Sequence, residues 1–467
     1  MLYFSSTYRV QIRLKRRNLC LKKAENVLTL AWTLLSKCCA RIVKSLKKVL
    51  YSEDFAARHK TAPEAFTRNR KLPFTTLICL LTNFVKSSYQ NELDHFFKAL
   101  GQLQVAKRIV TKPALTQARK KLKHEAFIEL NQHLIHRSEE QLRLKRWHGL
   151  RLVGIDGTTC RLPRIDEISE HFGVWNVRKG APCPSARISQ LFDTLNKLSI
   201  SAVITPKNID EREHAYELFH NLLPDDLVLM DRGYPAFWLF KVIFSMQAGF
   251  CARISDQWKI VRDFLNSGLP DQLVELEPSI SSIKICKERD LCTKPMTVRL
   301  VRVELDSGET EVLITSLTDS KRYKTKDFKR LYHRRWPIEE DYKTMKCWIE
   351  LENFTGKTVH SIYQDFYAKV FAKNLTSILC FPVQGHLERK GKRRKHPHQV
   401  NFAQALSKMK NVIPLLFQRP FEVMLQLIID LHDVFKKTTE PVRPGRKFPR
   451  NHKASVRRYY PNYKAIA

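Results

Sequence analysis

The sequence predicts a mixed α/β fold: a central mixed sheet with flanking helices, interrupted by a β-rich insertion and bracketed by helical N-terminal and C-terminal regions. Three observations carry this. Up to Trp147, apolar residues recur at spacings of three and four, the period of a helix face, and beyond His148 they come in short strand-length runs. Between Ser255 and Ser320 the pattern alternates as strands do. From Lys324 onward helical periodicity returns and dominates the remainder.

Taken in order, Arg9 to Lys60 is basic and helical in pattern, with RLKRR, LKK and KSLKK separated by apolar residues. Such a stretch makes an amphipathic layer with a cationic face, suited to a phosphate backbone. A second helical stretch runs from Pro73 to Trp147, in which Ser88 is placed to cap a helix. Within it, Thr111 to Leu122 has the composition of a helix-turn-helix reader. Leu152 to Ile155 reads as a strand meeting a turn at Asp156-Gly157-Thr158. Ala186 to Thr194 and Leu198 to Ile204 read as a hairpin, Glu211 to Leu222 as a helix, and Leu227 to Met230 as a strand buried on both faces. A helix over Ala236 to Met246 and a strand over Phe250 to Ile254 follow.

The insertion shows strand-like runs at Trp258 to Val261, Gln272 to Leu276, Val298 to Leu305 and Glu311 to Leu317. One helix is expected over Lys324 to Trp348, with a local kink at Pro337, and another closing near Leu379 before Phe381-Pro382. A basic loop, Glu388 to His398, precedes helices around Phe402 to Met409 and Phe421 to Phe435. The Pro-rich, basic and aromatic closing segment is expected to be disordered when free. The expected units are a basic helical DNA-binding region (1–147), a first part of the core (148–254), the insertion (255–320), the final core helices (321–380) and a basic helical region with a flexible tail (381–467).

Composition narrows the partner. Lys and Arg number 82 against 46 Asp and Glu, a net charge of +36. That excess repels itself unless a polyanion neutralises it, and nucleic acid rewards many cationic contacts through counterion release. A membrane is disfavoured, because the most apolar N-terminal stretch, Asn26 to Val43, is broken by Lys37 and Arg41. The first residues lack the apolar core of a secretion signal. The 11 cysteines are scattered without zinc-clip spacing, as expected of reduced thiols in a cytosol.

Two features carry chemistry. Asp156 and Asp231 are each expected at the C-terminal end of an apolar strand, with a glycine close behind that turns the backbone and leaves the carboxylate at the sheet edge. If those strands are neighbours, the acids meet, and clustered carboxylates call for a divalent cation. The second feature is Tyr332, Arg335, Glu339 and Lys346 at the spacing Y-x2-R-x3-E-x6-K. On a continuous helix these offsets share one face, with Glu339 able to close the acid cluster. The bland alternative is a solvated helix with i,i+4 ion pairs. His214, Asp166, Glu167, Asp225 and Asp226 fit helix-face or turn positions better than a site, and nothing in the sequence ties Asp193 to a metal. Glu340 adjoins Glu339 but breaks the spacing.

The order Asp156-Gly-Thr, Asp231-Arg-Gly-Tyr, β-rich insertion and Y-x2-R-x3-E-x6-K resembles the bacterial insertion-sequence DDE transposases of the YREK-signature branch. The likeness covers roughly residues 150–380. It implies a ribonuclease H-like core in which Asp156, Asp231 and Glu339 bind two Mg²⁺ ions, with Mn²⁺ able to substitute, and catalyse nicking and strand transfer. It further implies that Tyr332, Arg335 and Lys346 hold terminal phosphates and a displaced base, with Trp258 and Trp336 as candidates to stack on a flipped base. The implied partners are double-stranded DNA, as element terminal repeats and target, and a second copy in a synaptic homodimer, in the bacterial cytoplasm at the nucleoid. Two rivals remain: a ribonuclease H-like nuclease, and a non-catalytic DNA-binding protein derived from a transposase.

Overall fold

A computed structural model describes residues 34–68, 70–175, 182–305, 308–391 and 395–443. The runs RLKRR and LKK and nearly all of the closing basic segment therefore lie outside the described residues. The chain opens with helix α1 (34–50), followed by α2 (Glu53–His59), α3 (Phe74–Leu81), α4 (Tyr89–Gly101), α5 (Lys112–Arg119) and α6 (Glu125–Gln141). α1 is amphipathic as its spacing demands: Cys39, Ile42, Val43 and Leu46 are buried, while Lys37, Arg41, Lys44 and Lys48 are exposed at helical intervals. Ser88 caps α4 by accepting from the Asn91 N–H.

The sheet then begins with β1 (Arg151–Arg161). Helix α7 (Asp166–Phe172), β2 (Val174–Trp175), β3 (Cys183–Asp193), β4 (Leu198–Thr205), α8 (Glu211–Phe219), β5 (Asp226–Met230), α9 (Phe237–Ser245) and β6 (Gly249–Ile254) follow. β4, β3 and β1 pair antiparallel, and β1, β5 and β6 pair parallel, giving the order β4-β3-β1-β5-β6. That arrangement, an antiparallel meander continued by two parallel strands reached through helical crossovers, is ribonuclease H-like. The crossovers cover the sheet, so β5 alternates between two interiors: Leu227 and Leu229 face one cluster, Val228 and Met230 the other.

The segment after β6 holds α10 (Lys259–Asn266), β7 (Asp271–Leu276), α11 (Ile280–Glu288), β8 (Met296–Glu304) and β9 (Thr310–Thr315). β9 pairs with β6, so these strands extend the core sheet to nine strands. The expected strand at Trp258 to Val261 is instead the entry to α10. Its four residues alternate, but burial of Val261 and Phe264 three apart selects a helix. Helix α11 also escaped the periodicity, although Ser279 caps it by accepting from the Ser282 N–H.

Three further expectations are corrected. β1 does not turn at Asp156-Gly157 but runs on to Arg161, because the equally long β3 pairs with it as far as Arg161 opposite Ser185. The single helix expected over Lys324 to Trp348 is a short 3-10 turn, α12 (Phe328–His333), a break, α13 (Pro337–Lys343) and a π-helical turn at Thr344–Trp348. Pro337 starts α13 at a position where its missing N–H costs nothing. Finally α14 (Val359–Gly391) passes straight through Pro382. A proline there leaves the Ile378 carbonyl without its helical donor, and the Cys39 thiol of α1 donates to that oxygen at 3.7 Å.

The chain closes with β10 (His398–Val400), α15 (Phe402–Met409), α16 (Ile413–Gln418), α17 (Phe421–Lys437) and β11 (Thr439–Pro441). One apolar cluster joins α1 to α6, α14, α15 to α17 and one face of the β1, β3 and β4 meander. Among the described residues no helix is long and apolar enough to cross a membrane.

Candidate active site

Parallel pairing of β1 with β5 ends at Gly154 opposite Leu229. Carrying that register two positions further puts Asp156 opposite Asp231, where β5 has just ended and β1 is held only by β3. Asp156 therefore reaches the site from within a strand and Asp231 from the loop after one. Gly157 serves contact rather than turning: a Cβ there would fall 2.9 Å from the carboxyl carbon of Glu211. The Asp231 loop is pinned by Arg212, which donates to the carbonyls of Gly233 at 3.1 Å and Pro235 at 3.3 Å.

The other elements converge on these two acids. The Tyr332 hydroxyl, from α12, donates to Asp231 at 3.3 Å. Arg335, in the break, is buried and donates to Glu339 at 2.7 Å across one helical turn. Lys346, in the π-helical turn, donates to the Thr158 hydroxyl and the Thr159 carbonyl, both at 2.7 Å. Although their helix is interrupted, Tyr332 thus meets the loop after β5 and Lys346 meets β1, while Arg335 and Glu339 pair with each other within electrostatic reach of Asp156. Arg335 and Glu339 do form the i,i+4 ion pair of the bland reading, but this one lies beside the acid pair rather than in open solvent. Glu340 is exposed.

Asp156 is strongly perturbed. Burial pushes its carboxyl from 3.8 up to about 6; the Gly157 N–H and Arg335 oppose the shift, while Glu339 and Glu211 add to it. The raised value has a definite sign for folding. Below about pH 4 the carboxyl is protonated in both folded and unfolded chains, and stability lost as pH rises through 4 to 6 stays lost above it. At about 1.4 kcal/mol per pH unit, the ionised group costs on the order of 3 kcal/mol. Asp156→Asn is accordingly expected to raise the melting temperature in EDTA at pH 8, with the gain vanishing as pH falls to 4. Equal melting of the two proteins at pH 8 would refute this account of the site.

Behind the acids lies a buried polar network that the sequence did not advertise. Lys373 of α14 donates to both carboxylate oxygens of Asp341 on α13, each at 2.7 Å, and to the Ser199 hydroxyl at 2.7 Å. Gln190, which pairs with Asp156 in the sheet register, donates to Asp341 at 3.1 Å. The Tyr342 hydroxyl donates to the backbone carbonyl of Asp156 at 2.7 Å. In sequence, Asp341 and Lys373 look like ordinary helix charges 32 residues apart, and only the fold buries them together.

The remaining candidates fall elsewhere. His214 is a satisfied interior histidine between the hydroxyls of Ser189 (2.8 Å) and Thr205 (2.6 Å), pushed down to about 4 by burial. Asp193 accepts from the backbone of Leu195 and Asn196 and closes the β3–β4 hairpin. Asp226 pairs with Arg151 at 2.6 Å. Trp258 is half-buried against the cluster of α8, α9 and the sheet, whereas Trp336 is exposed beside Glu339's helix.

As donors, Asp156, Asp231 and Glu339 offer the hard oxygen set that Mg²⁺ takes, and the burial that lifts Asp156 penalises a negative charge that a bound cation would neutralise. Among the described residues no three such groups stand close enough to grip an ion in this conformation. Glu339 is engaged by Arg335 and Asp231 by Tyr332.

Comparison with known proteins places this geometry in context. Residues 147–375 match the family described as Transposase DDE domain. The chain is 26% identical over 396 residues to the Escherichia coli (strain K12) protein "Transposase InsG for insertion sequence element IS4", covering 82% of this chain and 86% of that one. It is 22% identical over 250 residues to "Putative transposase InsZ" of the same organism, covering 50% and 81%. Among solved structures, a piggyBac transposase in a synaptic complex with hairpin DNA aligns with a TM-score of 0.41 at 10% identity, over 86% of each chain.

Proposed function

Since this chain is a DDE transposase of the insertion-sequence type, we propose that Asp156, Asp231 and Glu339 are its catalytic acids and that it cuts and joins DNA at the ends of its own element. The observation that supports this most is the meeting of Asp156 and Asp231 across β1 and β5 with the Arg335–Glu339 pair beside them. Two Mg²⁺ ions, replaceable by Mn²⁺, would be held by the three carboxylates and would neutralise the attacking and leaving oxygens of the phosphoryl transfer.

The chain's own groups do the rest. Arg335 suits bidentate contact with a terminal phosphate, and as the guanidinium turns to DNA it frees Glu339. Tyr332 orients Asp231 through its hydroxyl, and Lys346 offers a point charge beside Thr158. Tyr342 holds the strand backbone so that Asp156 keeps its place. Exposed Trp336 is better placed than half-buried Trp258 to stack on a displaced base. The cationic face of α1, within region 1–147, is proposed to follow the phosphate backbone, with two copies pairing on two ends.

The test is incubation of purified protein with Mg²⁺ and duplex DNA carrying the element's ends. Cleavage at those ends, abolished by EDTA, is expected, together with an affinity that falls steeply and linearly in log salt. DNA bound but left uncut in both Mg²⁺ and Mn²⁺ would overturn the catalytic reading and leave a binding protein.

A further inference from the structure

A fourth carboxylate lies across β1 from the signature residues, within electrostatic reach of Asp156. Glu211 begins α8, and its side chain lies over the backbone of Gly157, the residue next to Asp156. The gap is so small that a Cβ at Gly157 would sit 2.9 Å from the Glu211 carboxyl carbon and 3.0 Å from its Oε1. Among the described residues no hydrogen bond or ion pair engages that carboxylate, although Arg212 and Glu213 beside it are both tied down. An unpaired carboxylate folded back onto a strand, within electrostatic reach of another carboxylate, is an arrangement electrostatics opposes.

A second, separate observation points to something that belongs there. Tyr234, from the loop that carries Asp231, is only 3% exposed, and its hydroxyl has no hydrogen-bond partner. Buried hydroxyls are ordinarily satisfied, because an unmade bond in the interior is costly. This phenol is within electrostatic reach of Glu211, Asp156 and Asp231, whose charges add to burial in holding its proton, with Arg187 opposing them. A phenol oxygen both donates and accepts. It is therefore suited to accept from a cation's water while donating to a carboxylate.

We propose that Glu211 is a fourth carboxylate of the metal site, sharing a hard divalent cation with Asp156, and that the Tyr234 hydroxyl takes a hydrogen bond from water held by that cation. The inference rests on the reading of Asp156 as a metal ligand. Gly157 then has a specific purpose: its bare Cα is what lets the Glu211 carboxylate approach Asp156.

The test is Mn²⁺ binding to the full chain without DNA at pH 8, followed by the electron paramagnetic resonance signal of free Mn²⁺. Glu211→Gln and Gly157→Ala are both expected to weaken binding on the order of tenfold or to remove one ion. Tyr234→Phe should weaken it less, and Glu217→Gln, an exposed change on the same helix, should leave it unchanged. Gly157→Ala keeps every acid and displaces only Glu211, so it still tests the proposal if Glu211→Gln folds poorly. Wild-type binding by Glu211→Gln and Gly157→Ala, with binding lost in Asp156→Asn, would overturn the role of Glu211 alone. Wild-type binding by Asp156→Asn as well would overturn the reading of the acid site itself.

Discussion

Asp231→Asn is expected to slow Mg²⁺-dependent cleavage at the element's ends by on the order of 10³-fold or more, with melting temperature and DNA affinity nearly unchanged. The selectivity follows from how little the carboxylate does for the fold. Among the described residues its one side-chain hydrogen bond, from Tyr332, is long at 3.3 Å, and an asparagine oxygen accepts it equally well. Asp231 is half-buried, follows the end of β5, and forms no ion pair among the described residues. What the substitution removes is a negative oxygen donor opposite Asp156, and an amide is a poor replacement at a hard cation. Single-turnover cleavage measured beside a binding isotherm separates the two effects. A rate within tenfold of wild type would remove Asp231 from the chemistry.

Lys373→Met should have the largest effect on stability, a loss of about 3–5 kcal/mol, because it strands a buried charge. Lys373 is fully buried, and burial pushes its pKa down while Asp341 opposes the shift. Removing the ammonium leaves the Asp341 carboxyl group in the interior with Gln190 as its remaining side-chain donor among the described residues. Changing Asp341 to leucine as well removes the stranded charge, so the double variant should recover most of the loss. Catalysis should not recover with it. Asp341 lies two residues beyond Glu339 on α13, and Gln190 lies across from Asp156, so this network ties the helix of one proposed catalytic acid to the strand of another. Urea unfolding and cleavage rates on both variants distinguish these outcomes. A double variant as slow to recover stability as the single one would mean that packing, rather than the charge, is what Lys373 supplies.

Apart from α7 and the two-residue β2, sequence periodicity carried the alternation of strands and helices from β1 to β6, because short apolar runs bounded by turns have few other interpretations. It failed where tertiary contacts decided the matter. The strand through Asp156 looked finished at Gly157, since a glycine after an acid is the usual mark of a turn, whereas its glycine answers to Glu211 from a distant helix. The helix through Pro382 looked broken because the missing donor is replaced by Cys39, more than 300 residues away. The signature spacing found Glu339 and its companions, but its one-face geometry assumed an unbroken helix. The actual chain breaks at 334–336 and widens into a π turn at Lys346, an irregularity common at working sites. Glu211, Tyr234, Asp341 and Lys373 were invisible for a simpler reason: each acquires its meaning only from a neighbour brought near by folding.

The apolar cluster that threads α1 to α6, α14 and α15 to α17 makes the helical regions before and after the sheet halves of one interior. Cys39, Leu46, Phe55 and Phe127 on one side and Met409, Phe417, Ile428 and Phe435 on the other are all buried in it. Exposing each such side chain costs about 1.5–3 kcal/mol, so deleting either helical end forfeits more than a domain's whole margin of stability. Recognition and chemistry cannot then be inherited separately. A copy truncated by an early stop or a late start loses the scaffold of the acids along with the missing helices, and so yields neither enzyme nor competitor for the same DNA.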